Sequence, residues 1–181
     1  MLPNVKVDRS NYFDRQFAAQ MAVLGLSEFP VFISALSGGP DSTALALLAQ
    51  RYAENNDKSH YGVIVDHGLR PDSDLEAERV KTRLECRGVH CRILRVEAPK
   101  PTSAIQEWAR GHRYRLLADA ARATGGAVVL FGHHAGDLAE TVAMRLGRGS
   151  GLFGLAGIPA RRQHGDVVFA RPLLFWSAVV L

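Results

Sequence analysis

Residues 31–42 read Val-Phe-Ile-Ser-Ala-Leu-Ser-Gly-Gly-Pro-Asp-Ser, an apolar run that empties into a glycine turn. This stretch restricts the fold more than any other. Val31 to Leu36 has the length and the apolar character of a buried parallel strand. Ser37-Gly38-Gly39 lets the backbone turn and brings its amides close to a ligand. Thr43 to Tyr52 then carries Leu45, Leu48 and Tyr52 on one helical stripe. A helix that starts at such a loop leaves unpaired amides facing an anion, pyrophosphate being the natural candidate. A Walker loop would need Gly-Lys-Ser/Thr here, and there is no lysine. Asp41 beside bound phosphates makes sense mainly as a Mg²⁺ partner.

Strand signals recur at Tyr61–Val65, Val89–Val96 and Ala127–Phe131, with helical patterns near 43–56, 73–87 and 103–124 between them. That alternation predicts an α/β fold, an open parallel sheet of about five strands with helices on both faces. Ligands of such sheets lie at the carboxyl ends of the strands, where strand order reverses. Three predicted strand ends carry polar or glycine punctuation: Ser37-Gly38-Gly39, Asp66-His67-Gly68 and Gly132-His133-His134. Residues 1–30 read as a helical lead-in, with Phe13, Phe17, Met21 and Leu24 on one side. Residues 147–159 are glycine-rich and read as a mobile loop beside the site.

Within 137–148, read as a helix, Leu138, Val142 and Leu146 form an apolar stripe. Asp137, Glu140, Thr141, Met144 and Arg148 share the other side. Two carboxylates at this helix start either offset the dipole or hold Mg²⁺ or an ammonium group near the phosphates. Two adjacent histidines at a strand end should point oppositely, so one of His133 and His134 faces the nucleotide and one packs beneath it. On 103–124, Ile105, Trp108, Ala109 and Leu116 suit a buried face. Arg110 and Arg113 share a strip facing solvent, ATP phosphates or RNA.

The acidic and basic residues of 1–141 balance, so the net charge of +4 arises from Arg145, Arg148, Arg161, Arg162 and Arg171 against Asp166 alone. Such a cluster is either a solvated face or a surface for a polyanion such as RNA. No signal peptide is visible, and the apolar tail 173–181 is too short to cross a bilayer. Cys86 and Cys91 suit neither a zinc site nor a redox pair and read as reduced thiols of a cytoplasmic protein.

Ser37-Gly38-Gly39-Pro40-Asp41-Ser42 matches the SGGxDS signature of the PP-loop ATP pyrophosphatases, which cleave ATP between the α- and β-phosphates. Further motifs follow in the order found in the tRNA(Ile)-lysidine synthases. They are Val65-Asp66-His67-Gly68-Leu69-Arg70, Gln106-Glu107-Trp108-Ala109-Arg110, the His133-His134…Asp137…Glu140-Thr141 segment, Met144-Arg145-Leu146 and Arg148-Gly149-Ser150-Gly151-Leu152. Gly154-Leu155-Ala156-Gly157 and a strand at Arg171-Pro172-Leu173-Leu174 extend the resemblance.

The resemblance implies an adenine-nucleotide alpha-hydrolase-like, Rossmann-like domain over 31–174, after the lead-in 1–30. It implies ATP and Mg²⁺ as cofactors, and free L-lysine and tRNA(Ile) with a CAU anticodon as partners, with no membrane and with room for a homodimer. Ser37, Gly38, Gly39, Pro40, Asp41 and Ser42 would cradle pyrophosphate, and Asp66, His67, Gly132 and His133 would line the nucleotide site. Asp41 and Asp137 would hold Mg²⁺, Glu140 would serve Mg²⁺ or the lysine ammonium, Arg110 would steady phosphate or the adenylated intermediate, and His134 would take a proton from lysine.

Two departures stand out. Gly136 occupies the place of a family aspartate, and residues 175–181 form an atypical apolar tail without the family's later tRNA-binding domains. They leave room for a degenerate or truncated ATP/AMP-binding module without transfer activity, or for another PP-loop tRNA-modifying enzyme such as a thiolase.

Overall fold

A computed structural model describes residues 9–125, 128–140 and 158–176 of the chain. Four helices, α1 (Arg9–Val23), α2 (Pro40–Glu54), α3 (Ser73–Glu85) and α4 (Ile105–Ala123), alternate with strands β1 (Val31–Leu36), β2 (Ser59–Asp66), β3 (Cys91–Arg95) and β4 (Val128–Phe131). A hairpin follows, β5 (Arg161–His164) and β6 (Val167–Ala170). The six strands run in the order β3-β2-β1-β4-β6-β5. All neighbours are parallel except β5, which pairs antiparallel with β6 at the edge.

The sheet is therefore mixed and has one more strand than expected. The hairpin escaped sequence reading because Arg-Arg-Gln-His of β5 is polar and exposed along its whole length. An edge strand with nothing packed on it needs no apolar alternation. The strand expected at Arg171–Leu174 is a turn, and β6 lies one step earlier, at Val167–Ala170.

Period-two alternation assigns each central strand to two cores. Phe32, Val128, Leu130, Val168 and Ala170 pack with Phe17, Met21, Leu45 and Leu48 of α1 and α2. Ile33, Val129, Phe131, Val167 and Phe169 face the opposite way, onto Leu117, Ala118 and Ala121 of α4. The third core joins α2 and α3 through Leu36, Ala46, Ile64, Ala77 and Leu84. The predicted stripes of α1 and α2 are largely those buried, but that of α4 is not. Ile105 is 41% exposed, and burial becomes continuous only from Leu117 onward. The second half of α4 lies on the sheet, and its first half remains near the sheet's carboxyl edge.

Between β1 and β3, a Cβ added to Gly62 would lie 2.6 Å from Leu36 Cδ1 and 2.8 Å from Cys91 Sγ. Gly62→Val should therefore lower stability by about 3 kcal/mol through overpacking, read as a reduced urea midpoint at constant m-value. An unchanged midpoint would mean that Leu36 and Cys91 can move aside.

Candidate active site

Strand order reverses between β1 and β4, and the loops that leave their carboxyl ends form the site. After β1, Gly38 has a φ of +85° and would place a Cβ 2.7 Å from Val80 Cγ2, so only glycine fits. Gly39 is the N-cap of α2 and Pro40 begins the helix, where its missing N–H is no loss. Ser42 Oγ donates to the Gly39 carbonyl and accepts from Ser37 N and Ser37 Oγ, while Thr43 Oγ1 donates to the same carbonyl at 2.9 Å. From the other side, the Arg83 guanidinium donates to the Gly38 carbonyl at 2.9 Å. The loop is thus braced by α2 and α3, with Asp41 in the first turn.

The end of β4 reaches this loop because residue 132 is glycine. A Cβ there would stand 3.0 Å from the Asp41 carbonyl carbon and oxygen and from Ser42 Cα. That close approach carries His133, His134 and Asp137 to the PP-loop side of the sheet. Residues 135–140 are helical, and His134 is their N-cap. The Asp137 carboxylate accepts from His134 N at 2.8 Å, and Gly136 N donates to His134 Nδ1 at 2.9 Å. This is a reciprocal cap with an imidazole in the place of the usual hydroxyl. An acceptor at Nδ1 assigns the proton of the neutral ring to Nε2. That nitrogen lies 3.7 Å from Asp41 Oδ2 and 3.8 Å from Asp137 Oδ2, between the two carboxylates.

His133 lines the smaller cleft, whereas His134 lines neither cleft and stands against Asp41 and Asp137. His133 lies against the Phe131 ring, and its Nδ1 is buried without a partner. Burial, reinforced by Arg171, holds its imidazole below the usual histidine range. His67, after β2, has both ring nitrogens buried and unpartnered, and burial together with Arg113 depresses its pKa also. Asp66 is buried and accepts from Gly68 N at 2.8 Å.

Two adjoining clefts result. One, of about 540 Å³, runs from Ser37 and Gly38 past Asp66 and His67 to α3, with Arg70, Arg79, Arg83 and Arg113 among its walls. The other, of about 220 Å³, is bounded by Ser37, Asp41, Ser42, Arg113, Gly132, His133 and Asp137. Arg113 lines both, so a ligand spanning them would meet it in each. The orphaned nitrogens of His67 and His133 and this ring of cations suit a nucleotide carrying phosphates. The carboxylates of Asp41 and Asp137 are hard oxygen donors and suit Mg²⁺. No group of three or more potential metal ligands occurs among the described residues, so the ion would complete its shell with phosphate oxygens and water, as Mg²⁺ usually does.

Arg110 and Glu140 are not brought to either cleft. Arg110 stands over the Tyr114 ring, 5.0 Å from its centre, and Glu140 is exposed. Arg79 and Arg83 were the residues that sequence reasoning did not assign to the nucleotide, and Arg113 it left open between solvent, ATP phosphates and RNA. The i, i+4 pair of α3 and the i, i+3 partner of Arg110 were the available signals. Of the five C-terminal arginines, Arg145 and Arg148 fall outside the described residues, as do Thr141, Met144 and nearly all of the glycine-rich stretch. Arg171 is not a surface cation at all. It is 5% exposed and donates to the Pro159 carbonyl and to Tyr114 Oη. Arg161 donates to the Leu24 carbonyl and ties the hairpin to α1. No described helix is long and apolar enough to cross a membrane.

Comparison with known proteins agrees with this geometry. Residues 11–179 match the PP-loop domain family. A tRNA(Ile)-lysidine synthase of Rhodopseudomonas palustris is 47% identical over 147 residues, which cover 80% of this chain and 42% of the relative. One from Novosphingobium aromaticivorans is 48% identical over 150 residues, covering 81% and 45%. The chain thus spans less than half the length of these curated relatives. Among solved structures, the U34-tRNA thiolase NcsA from Methanococcus maripaludis with its [4Fe-4S] cluster has a TM-score of 0.75 at 19% identity, covering 97% of this chain and 62% of that one. At that identity the likeness concerns the fold alone. With a braced SGGxDS loop, an α/β sheet of the same kind and a sequence match over nearly its whole length, the chain belongs to the PP-loop family.

Proposed function

We propose that this chain is the ATP-using catalytic part of a tRNA(Ile)-lysidine synthase, acting on the wobble cytidine (position 34) of tRNA(Ile) with a CAU anticodon. The observation that carries the reading is the meeting of Asp41 and Asp137 across the Gly132 contact, at the mouth of a cation-lined nucleotide cleft. It gains weight from the relatives' names and from the ordered motifs.

The carbonyl oxygen at C2 of cytidine is a poor leaving group. It attacks the α-phosphorus of ATP, the bond to the β-phosphate oxygen breaks, and pyrophosphate departs. The amine of free lysine then bonds to C2, the C2–O bond breaks, and AMP leaves. The products are lysidine, AMP and pyrophosphate. Catalysis of the first step is chiefly positioning and charge stabilisation. Backbone N–H groups of Gly38, Gly39, Asp41 and Ser42 would face the pyrophosphate, Pro40 having none and Ser37 N being bonded to Ser42 Oγ, and Arg113 takes the phosphate-steadying role expected of Arg110. Asp41 and Asp137 would hold Mg²⁺, which neutralises developing phosphate charge when bound. The attacking amine must lose a proton. His134 presents an N–H between the carboxylates and keeps Nδ1 occupied, so the proton passes to a carboxylate rather than to the imidazole. These substrates place the reaction in the cytoplasm.

Labelled lysine incorporated into a CAU-anticodon tRNA(Ile) transcript, with ATP and Mg²⁺, tests the reading. Absence of label together with intact ATP binding would favour a nucleotide-binding module without transfer. Gly136 is the observation behind that second reading. Gly136→Asp would bring a Cβ within 2.5 Å of His134 Cε1, so the ring must leave its place and a third carboxylate enters. A severalfold rise in tRNA-dependent pyrophosphate release is expected. An equal or lower rate would mean that Asp41, Asp137 and His134 already form a complete set. A thiolase reading gains no support from Cys91. Cys91 is buried, and burial raises its thiol to about 11, away from the reactive thiolate.

A further inference from the structure

Beside the ATP clefts lies a third opening, of about 250 Å³, between the first half of α4 and the β5–β6 hairpin. Its walls include Arg110, Tyr114, Arg162, His164 and Phe169, and it shares none of its lining residues with the ATP clefts. One aromatic layer separates it from them. Tyr114 stacks on Phe131 with ring centres 5.4 Å apart, and Phe131 lines the smaller cleft. A polymer could enter that cleft and continue into this groove.

The groove carries positive charge that the fold leaves unmatched. Arg51, Arg70 and Arg122 each pair with a carboxylate. Among the described residues, Arg110, Arg162 and the buried Arg171 have no such partner, and Glu107 is the one acid in the groove wall. Arg171 Nε is buried without a hydrogen-bond acceptor. Burial lowers the proton affinity of Arg171, its Tyr114 partner opposes that, and Arg110 and Arg162 lower it further, so the three cations act on one another. Concentrating three guanidinium groups about a single carboxylate opposes folding, and an anionic ligand would relieve it.

The aromatic groups say which anion. His164 stacks on Phe169 at 5.1 Å and 12°, and the residue is otherwise exposed, so its outer face is an open platform. Arginines beside an exposed flat ring suit unstacked bases on a phosphate chain, whereas duplex RNA keeps its base faces covered.

We propose that this groove binds single-stranded RNA adjoining the target nucleotide, with Arg110 and Arg162 on phosphates and His164 beneath a base. The proposal rests on the tRNA-modifying reading above. It divides α4 between two tasks, Arg113 facing ATP and Arg110, one turn earlier, facing RNA.

The test measures binding of a fluorescein-labelled CAU anticodon stem–loop to the full chain, alongside binding of a fluorescent ATP analogue. Arg162→Ala should weaken RNA binding and reduce the slope of log K against log salt by about 0.7. His164→Ala should weaken it by about fivefold or more, and His164→Phe should restore it. ATP affinity should stay constant in all three variants. Unchanged RNA affinity in the Arg162→Ala/His164→Ala double variant would overturn the proposal, as would failure of the unmodified chain to bind the stem–loop. Lysine incorporation separates this result from the functional reading. If label is incorporated but the variants bind RNA normally, the groove proposal alone fails. If the variants lose RNA while no label is ever incorporated, the groove stands and the lysidine assignment falls.

Discussion

Asp41→Ala should lower tRNA-dependent AMP release by about 10²–10³-fold while ATP binding changes only a few-fold, the usual effect of removing one group that stabilises transition-state charge. The geometry explains why the effect should be concentrated in the rate. Asp41 sits in the first turn of α2, beside the loop rather than within it. The loop itself is held by Ser42, Thr43 and Arg83, whose bonds do not use the Asp41 side chain. Losing the carboxylate thus leaves the phosphate cradle intact and removes one of two oxygen donors that face each other across His134. Single-turnover release of AMP, measured beside equilibrium ATP binding, separates the two effects. An unchanged rate would remove Asp41 from the catalytic set, and an equal loss of ATP affinity would make it a binding residue.

The second large effect concerns stability in acid. His60 is 5% exposed at the start of β2. Its Nε2 accepts from Ser34 Oγ at 2.8 Å and its Nδ1 donates to Gln50 Oε1 at 3.0 Å. The ring is neutral in this network, and burial holds its pKa down to about 3 from an ordinary 6.5. The unfolded chain therefore binds a proton that the folded chain refuses. Stability contributed by the neutral ring is complete above pH 6.5 and is lost as pH falls toward 3. The slope approaches about 1.4 kcal/mol per pH unit below pH 6.5, hence about 2 kcal/mol between pH 6.5 and 4.5. His67 and His133, also depressed by burial, add to the same trend. Urea unfolding of the wild type and of His60→Gln at both pH values isolates the effect. The variant should be less stable at neutral pH and lose about 2 kcal/mol less on acidification. Equal pH dependence in both proteins would show that His60 is not the titrating group.

Much of the nucleotide-binding half was legible in the sequence, because the information there is local. Val31–Leu36 needs only its apolar run to become a strand, and the turn needs only glycines where the backbone is left-handed or crowded. The helix of α2 follows from Pro40 and the Leu45, Leu48, Tyr52 stripe. Each can be argued from neighbours in sequence, and β1 and α2 form accordingly.

Residues that act across the sheet were less legible. Arg110 and Arg113 are alike in sequence, three apart on one helix. Only the packing of α4 between β2 and the β5–β6 hairpin sends one to the ATP clefts and the other to the basic groove. Arg171 looked like one more surface cation, yet the turn after β6 buries it against Phe131 and Tyr114. The polar β5 had no periodic signal, because an edge strand takes its position from backbone pairing with β6. By itself the sequence determined the chemistry available: a phosphate loop, paired carboxylates and an excess of arginine. Tertiary structure alone decided which groups meet, because helix rotation and strand order join residues far apart in the chain.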